Sequence, residues 1–410
     1  MSVTSSSTHW HHLAAEIRCV ILERLLQDGC SLAGFATVSR EWQTIIERHN
    51  FARIKLTPSR IADFGSVIHR NNALVRYLWL CLELEEYDCT LCASRDPETW
   101  GMSHRDNALI VTAFQDLFST PGTWEPGGGG NSLMLDISVH SPSDSEHWFK
   151  YLTFRPSTPF DDQEEDGAQD DDQSMLAKLD DRQHGWEDGR RASAPCRQLP
   201  LVPAVTGVLL RQQTRRRWKP MALANMFSRL PELQVIHYEP WREWEKRTST
   251  KVDGCLVHQS VFESLALSKL KRLVLFENFN QSYLPRESHR DEDLIRIPAP
   301  NVGRAVATAS LKLEHLSASF MVDADDFLQA RQRFWEWPNL NSLALTSQLL
   351  TPGESQVDIN DMLIAAAAAT MRMPKLRTMK IWNGQEGLAI LFQYQTARNS
   401  RQAVITRRGT

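Results

Sequence analysis

Apolar residues recur along this chain with three distinct rhythms, and each rhythm predicts a different kind of element. Near the start, Leu13, Ile17, Ile21 and Leu25 return every fourth residue, and Val20, Leu22 and Leu26 widen the stripe beyond what one short helix can bury alone. Asp28-Gly29 ends this helix. Ser31 can cap a second short helix carrying Leu32, Phe35 and Ala36, and Ser39 a third carrying Trp42, Ile45 and Ile46. A unit that small is marginal unless it docks on something.

The second rhythm is a helix followed by a nearly continuous apolar run. Pro58 to Arg70 is predicted as a helix, and Leu74 to Leu84 as a strand with apolar residues on both faces. Burial of both faces is expected of a parallel strand covered by helices, and Arg105 to Phe118 supplies one, with Leu109, Val111, Phe114, Leu117 and Phe118. Ser132 to His140 alternates as Leu133, Leu135, Ile137 and Val139 and is predicted as a strand.

The third rhythm is a phrase, Pro-x-Leu-x-x-apolar-x-apolar. It occurs from Pro231, Pro338 and Pro374, and without the proline from Leu270 and Leu313; the first leucines, Leu233, Leu270, Leu313, Leu340 and Leu376, lie 37, 43, 27 and 36 residues apart. Helical stretches precede the phrases at Met221 to Arg229, Gln259 to Leu267, Asp325 to Glu336 and Ile359 to Met371. Helix, turn and strand therefore form a unit that buries its apolar face only against its neighbours. The end, from Ala403 to Thr410, has the pattern of a strand with no closing cap.

Two resemblances follow from these patterns. Leu13-Ala14-Ala15-Glu16-Ile17, then Val38-Ser39-Arg40-Glu41-Trp42, then Phe51 to Leu56 in the order Phe-x-x-Ile-x-Leu, resembles an F-box. Ala14 departs from that family, which usually has proline there. The resemblance implies that the three helices bind a Skp-type adaptor hung on a cullin, through Leu13, Ala14, Glu16, Ile17, Ile21, Leu25, Leu32, Val38, Arg40 and Trp42. The later phrase resembles a leucine-rich repeat, irregular in period and without an asparagine ladder. Together with Trp79-Leu80-Cys81-Leu82, the arrangement is similar to a large group of filamentous-fungal F-box proteins. The expected fold class is mixed α/β, an F-box-like module followed by an irregular leucine-rich-repeat-like solenoid. The expected function is presentation of an unknown protein substrate for ubiquitin transfer. The alternative is an interaction scaffold outside ubiquitin transfer, in which the opening helices cap the larger body.

The expected organisation is a disordered 1–12, the module 13–56, a first α/β region 57–160, an acidic and polar insertion 161–202, and the repeat region 203–410. The insertion is placed by composition: eight acidic residues fall between Asp161 and Asp172, too polar to offset the entropy of ordering. Forty-six basic against fifty acidic residues give a net charge of -4, which offers no general attraction to nucleic acid or to anionic membrane. No apolar run reaches membrane-spanning length and Met1 to His12 has no secretory core, so the expected compartment is cytosol or nucleus.

Candidate chemistry is sparse. Cys89 and Cys92 have the spacing of half a zinc site, but no second such pair exists, and ordinary thiols are expected. Gly127 to Gly130 precedes a strand and lacks the Lys-Ser/Thr of a phosphate loop. His9, His11 and His12 lie in the polar terminus. Arg211 to Lys219 is the one basic patch, with Trp218 inside it, and solvated surface, an import signal, RNA binding or pairing with the acidic segment all remain open for it. No nucleophile elbow, dinucleotide fingerprint or His-Glu-x-x-His occurs, so neither an enzyme nor a cofactor is expected.

Overall fold

A computed structural model describes residues 10–27, 33–87, 104–124, 132–146, 199–215, 218, 220–241, 261–262, 265, 269–278, 298–385, 388–396 and 404–409. Leu32, Cys89, Cys92, Gly127 to Gly130, His9, the ranges 1–9 and 147–198, and Arg216, Arg217 and Lys219 lie outside the described residues.

One eleven-stranded sheet runs through the molecule with its strands in chain order. Its strands are β1 (Arg53–Leu56), β2 (Tyr77–Glu83), β3 (Leu133–His140), β4 (Val205–Leu210), β5 (Val235–Tyr238), β6 (Arg272–Phe276), β7 (His315–Asp323), β8 (Ser342–Thr346), β9 (Thr378–Gln385), β10 (Leu388–Gln395) and β11 (Val404–Gly409). From β1 to β9 every neighbouring pair is parallel, and β10 and β11 then reverse direction. The helices are α1 (Ala15–Gln27), α2 (Arg40–Ala52), α3 (Pro58–Ile68), α4 (His104–Ser119), α5 (Pro220–Phe227), α6 (Pro300–Ala309), α7 (Ala324–Gln329) and α8 (Gln356–Thr370). The protein is thus mixed α/β with a mostly parallel sheet.

A main-chain ladder sets the strands in register. The residue before or beginning each strand donates to its predecessor: Gln234 N–H to the Thr206 carbonyl at 2.7 Å, Lys271 to Gln234 at 2.8 Å, Glu314 to Lys271 at 2.8 Å, Asn341 to Glu314 at 2.7 Å and Arg377 to Asn341 at 2.8 Å. Each repeated phrase enters the sheet at this ladder, so the unequal spacing in sequence disappears in space. The five first leucines, Leu233, Leu270, Leu313, Leu340 and Leu376, are at most 4% exposed. Alternate residues behind them, such as Leu273 and Leu275 or Leu343 and Leu345, are buried on the same side.

The buried residues of α3 to α8 join that one face in a continuous core extending from Leu56 to Ile381. Ile61, Phe64 and Ile68 come from α3, Phe114, Leu117 and Phe118 from α4, and Met362, Ala366 and Ala369 from α8. Among the described residues no helix lies on the other face of β2, contrary to the expectation drawn from its two apolar faces. Its apolar residues serve differently: Arg53 lies 4.9 Å from the Tyr77 ring centroid, and Lys55 4.4 Å from that of Trp79.

Three further differences have clear causes. The helix expected over Asp325 to Glu336 stops at Gln329, because Trp335 and Trp337 are both buried, and residues two apart cannot share one face of a helix. Trp337 instead donates from Nε1 to Ser310 Oγ at 2.7 Å inside the core. The segment set aside as an insertion to residue 202 gives way to packed structure earlier, since Leu199 and Val202 are buried. The ending of the opening module, Arg53–Leu56, is the first strand of the sheet, with Leu56 in the shared core.

Candidate functional site

Two surfaces carry features that folding alone does not require. The first is the corner made by α1, the 3-10 turn Ala33–Thr37 and α2. Ser39 caps α2, its Oγ accepting from Trp42 N–H at 3.4 Å. Trp42 packs against Trp10 with ring centroids 5.3 Å apart and against Phe35 at 6.0 Å. Arg18 ties the corner together, donating from Nε to Glu41 Oε1 at 2.9 Å and from Nη1 to the Leu13 carbonyl at 2.7 Å. Leu22 and Ile46 are its buried residues, and both lie apart from the core behind the sheet.

Against that small interior, Ile17, Val20, Ile21, Phe35 and Val38 remain exposed, Ile17 by 51% and Val38 by 61%. Of the residues that the F-box resemblance implies, Ala14, Glu16 and Arg40 are exposed with them, while Leu13, Leu25 and Trp42 are half-buried. Val20 and Phe35 belong to the exposed set although that resemblance did not single them out. An apolar surface of this kind marks a contact site in soluble proteins.

The second surface is the face of the sheet opposite the described helices. Over β3 to β5 it is roofed. Asp136 is buried, and accepts from the Tyr77 hydroxyl and from Arg211 Nη2 at 2.9 Å. Burial first, and then the Asp136 charge, push the Tyr77 hydroxyl far above its ordinary range. Burial works against the Arg211 charge, yet Asp136 beside it holds that guanidinium above its usual value. The roof is the segment after β4: Thr214 donates to the Ile137 carbonyl, Arg215 N–H to the Val139 carbonyl at 2.9 Å, and Trp241 Nε1 to the Gln212 carbonyl at 3.1 Å. Glu239 accepts from Gln212 N–H at 3.3 Å, and burial raises its carboxyl above the usual range. Arg211, the first residue of the basic patch, is thus a structural cation.

Over β6 to β9 the same face presents three rows of side chains. The register gives Arg272, His315, Ser342 and Thr378 in the first and Val274, Ser317, Ala344 and Lys380 in the second; in the third Phe276 lies beside Ser319, and past the shift in β7 Asp323 lies beside Thr346 and Thr346 beside Trp382. Phe320 interrupts β7 beside the third row. It is the only non-glycine residue with positive φ among the described residues, at 63°, and β7 shifts register there. Its N–H donates to Thr346 Oγ1 at 2.8 Å. Its ring stands edge-on to Phe276 at 5.5 Å and to Trp382 at 5.4 Å, and all three rings are half-buried. No sequence signal marks this cluster, because a phenylalanine in the left-handed region is an exception to every local preference.

Among the described residues, no group of three or more His, Cys, Asp or Glu residues is placed to hold a metal ion, and no helix is long and apolar enough to cross a membrane. Cys81 is buried and Cys19 exposed. A family model described as a family of unknown function, DUF6546, matches residues 264–410, the stretch that holds β6 to β11. No curated protein matches the chain.

Proposed function

We propose that this chain is the substrate-recognition subunit of a cullin-type ubiquitin ligase, in which an F-box-like corner docks a Skp-type adaptor and a leucine-rich-repeat-like sheet presents a protein substrate. The observation that carries the reading is the row of exposed apolar side chains on α1 and the turn after it, Ile17, Val20, Ile21, Phe35 and Val38, over an interior that buries little besides Leu22 and Ile46. Sequential parallel strands backed by helices on one face support the repeat-like description of the body. In this reading the protein contributes geometry and no chemistry.

Co-expression with a Skp-type adaptor tests it. Ile17→Asp, Val20→Asp and Ile21→Asp place charges on an exposed face and leave Leu22 and Ile46 in place, so the fold should survive them. The unchanged chain should co-purify with the adaptor and the triple variant should not. Equal recovery of adaptor with both would refute this docking surface.

A second reading has its own support. Because Arg53–Leu56 is the first strand of the sheet, the corner is continuous with the body, as an integral cap would be. A scaffold outside ubiquitin transfer would keep its cargo and show no adaptor binding even before substitution.

A further inference from the structure

We infer that the face of β6 to β9 opposite the described helices is a trough for an extended acidic peptide that also carries an apolar or aromatic side chain. This deepens the proposed function by naming the class of cargo, and rests on taking this face as the recognition surface.

Three observations converge. The first is the charge of the trough. Its rows, from Arg272, Val274 and Phe276 on β6 to Thr378, Lys380 and Trp382 on β9, hold two permanent cations, and the one carboxylate among them, Asp323, is buried and accepts from Asp325 N–H, Ser347 Oγ and Gln348 N–H. Arg272 and Lys380 are exposed, and Arg377 sits exposed at the lip beside them. Burial, and then the Arg272 and Arg377 charges, hold the His315 imidazole below its ordinary value against the opposing influence of Glu314. A histidine so placed acts near neutrality as a neutral hydrogen-bonding group. His237 continues the second row on β5.

The second is shape. Between the cationic row and the aromatic row lies a floor of small side chains, Val274, Ser317 and Ala344, each half-buried. The outer rows are four residues apart along a strand, so about 13 Å separates them, and β6 to β9 span about 14 Å across the strands. That space suits one extended chain crossing the strands. Its acidic side chains would reach Arg272 and Lys380, and an apolar one would lie against Phe276, Phe320 and Trp382.

The third is strain. Phe320 holds a left-handed backbone that a side chain rarely adopts, and it delivers a ring to this face between two others. Core packing would not call for a ring on the side away from the helices. A long nucleic acid fits less well. The trough offers two cations and a lip arginine to a polymer with a charge about every 1.7 Å, on a chain whose net charge is -4.

A randomised peptide library selected against the full chain tests the inference. Peptides enriched in Asp and Glu, with at least one apolar or aromatic residue, are expected. A representative labelled peptide should lose affinity by about tenfold or more against Arg272→Glu with Lys380→Glu, and should weaken as salt is raised. Trp382→Ala should weaken it as well. Recovery of no peptide, selection without acidic bias, equal binding by the charge-reversed variant, or stronger binding of a labelled single-stranded oligonucleotide would each overturn it. The charge-reversed variant should still co-purify with adaptor, so failure of this inference and failure of the docking corner give different results.

Discussion

Replacing Phe320 by alanine and, separately, by glycine isolates the backbone strain at that position. Both substitutions remove the same ring and with it two edge-on contacts, to Phe276 at 5.5 Å and to Trp382 at 5.4 Å. Such contacts contribute about 0.5–1.5 kcal/mol each, so alanine should destabilise by about 1–3 kcal/mol. Alanine keeps a Cβ at φ 63°, whereas glycine adopts that conformation without steric cost. The left-handed penalty of about 1–2 kcal/mol therefore disappears only in the glycine variant. Glycine gives back about 0.5–1 kcal/mol through the greater freedom of its unfolded chain. On the central values the glycine variant should end about 0.75 kcal/mol more stable than the alanine variant, the reverse of the usual order in a strand. Urea denaturation followed by tryptophan fluorescence gives the comparison, provided the slopes agree between variants. Ser317, an ordinary position on the same strand, serves as control, and there alanine should exceed glycine. Alanine equal to or better than glycine at Phe320 would refute the strain argument.

Other expectations rest on different parts of the molecule. Ser310→Ala leaves the buried Trp337 N–H without its acceptor at 2.7 Å and should cost about 1–3 kcal/mol, and less than that when made in a Trp337→Phe background; a single variant as stable as the unchanged chain would contradict the pairing. Gly303→Ala places a Cβ 2.9 Å from the Asp326 Cβ where α6 meets α7, and should lower stability by about 1–3 kcal/mol, measured as a shift in the denaturant midpoint. Because burial raises the Glu239 carboxyl in the fold, its stabilising contribution is complete below the ordinary carboxylate range and lost as pH rises through the raised value. Glu239→Gln should therefore gain on the unchanged chain as pH rises across that interval, and a flat difference would count against a buried carboxylate. Removing residues 1–38 should leave the sheet cooperative, whereas removing 1–56 also takes β1 and Leu56 and should lower the midpoint markedly; circular dichroism during heating separates the two.

Much of the body was legible because the repeated phrase is itself a physical rule. A leucine beneath each strand start, followed by two apolar residues at alternate positions, predicts both direction and facing, and all five phrases became strands with those residues buried. Apolar runs alone also marked β2, β3 and β11, but three strands carry neither signal. Arg53–Leu56, Val205–Leu210 and Leu388–Gln395 follow no such leucine phrase and were not picked out as strands. The helix drawn to Glu336 was lost past Gln329 because helical composition says nothing about where the Trp335 and Trp337 rings must go. The cationic and aromatic rows were invisible for another reason. Arg272, His315 and Lys380 are separated by 43 and 65 residues, and only the strand register places them on one face.

The ladder from Thr206 to Arg377 joins peptide groups and asks nothing of the side chains above them. Positions such as 274, 317, 344 and 380 can consequently change identity without shifting any strand, and the loops between strands can lengthen or shorten freely. A lineage could retune what lies on this floor by single substitutions while the scaffold beneath stays still. Specificity and foldability are here inherited through separate sets of atoms.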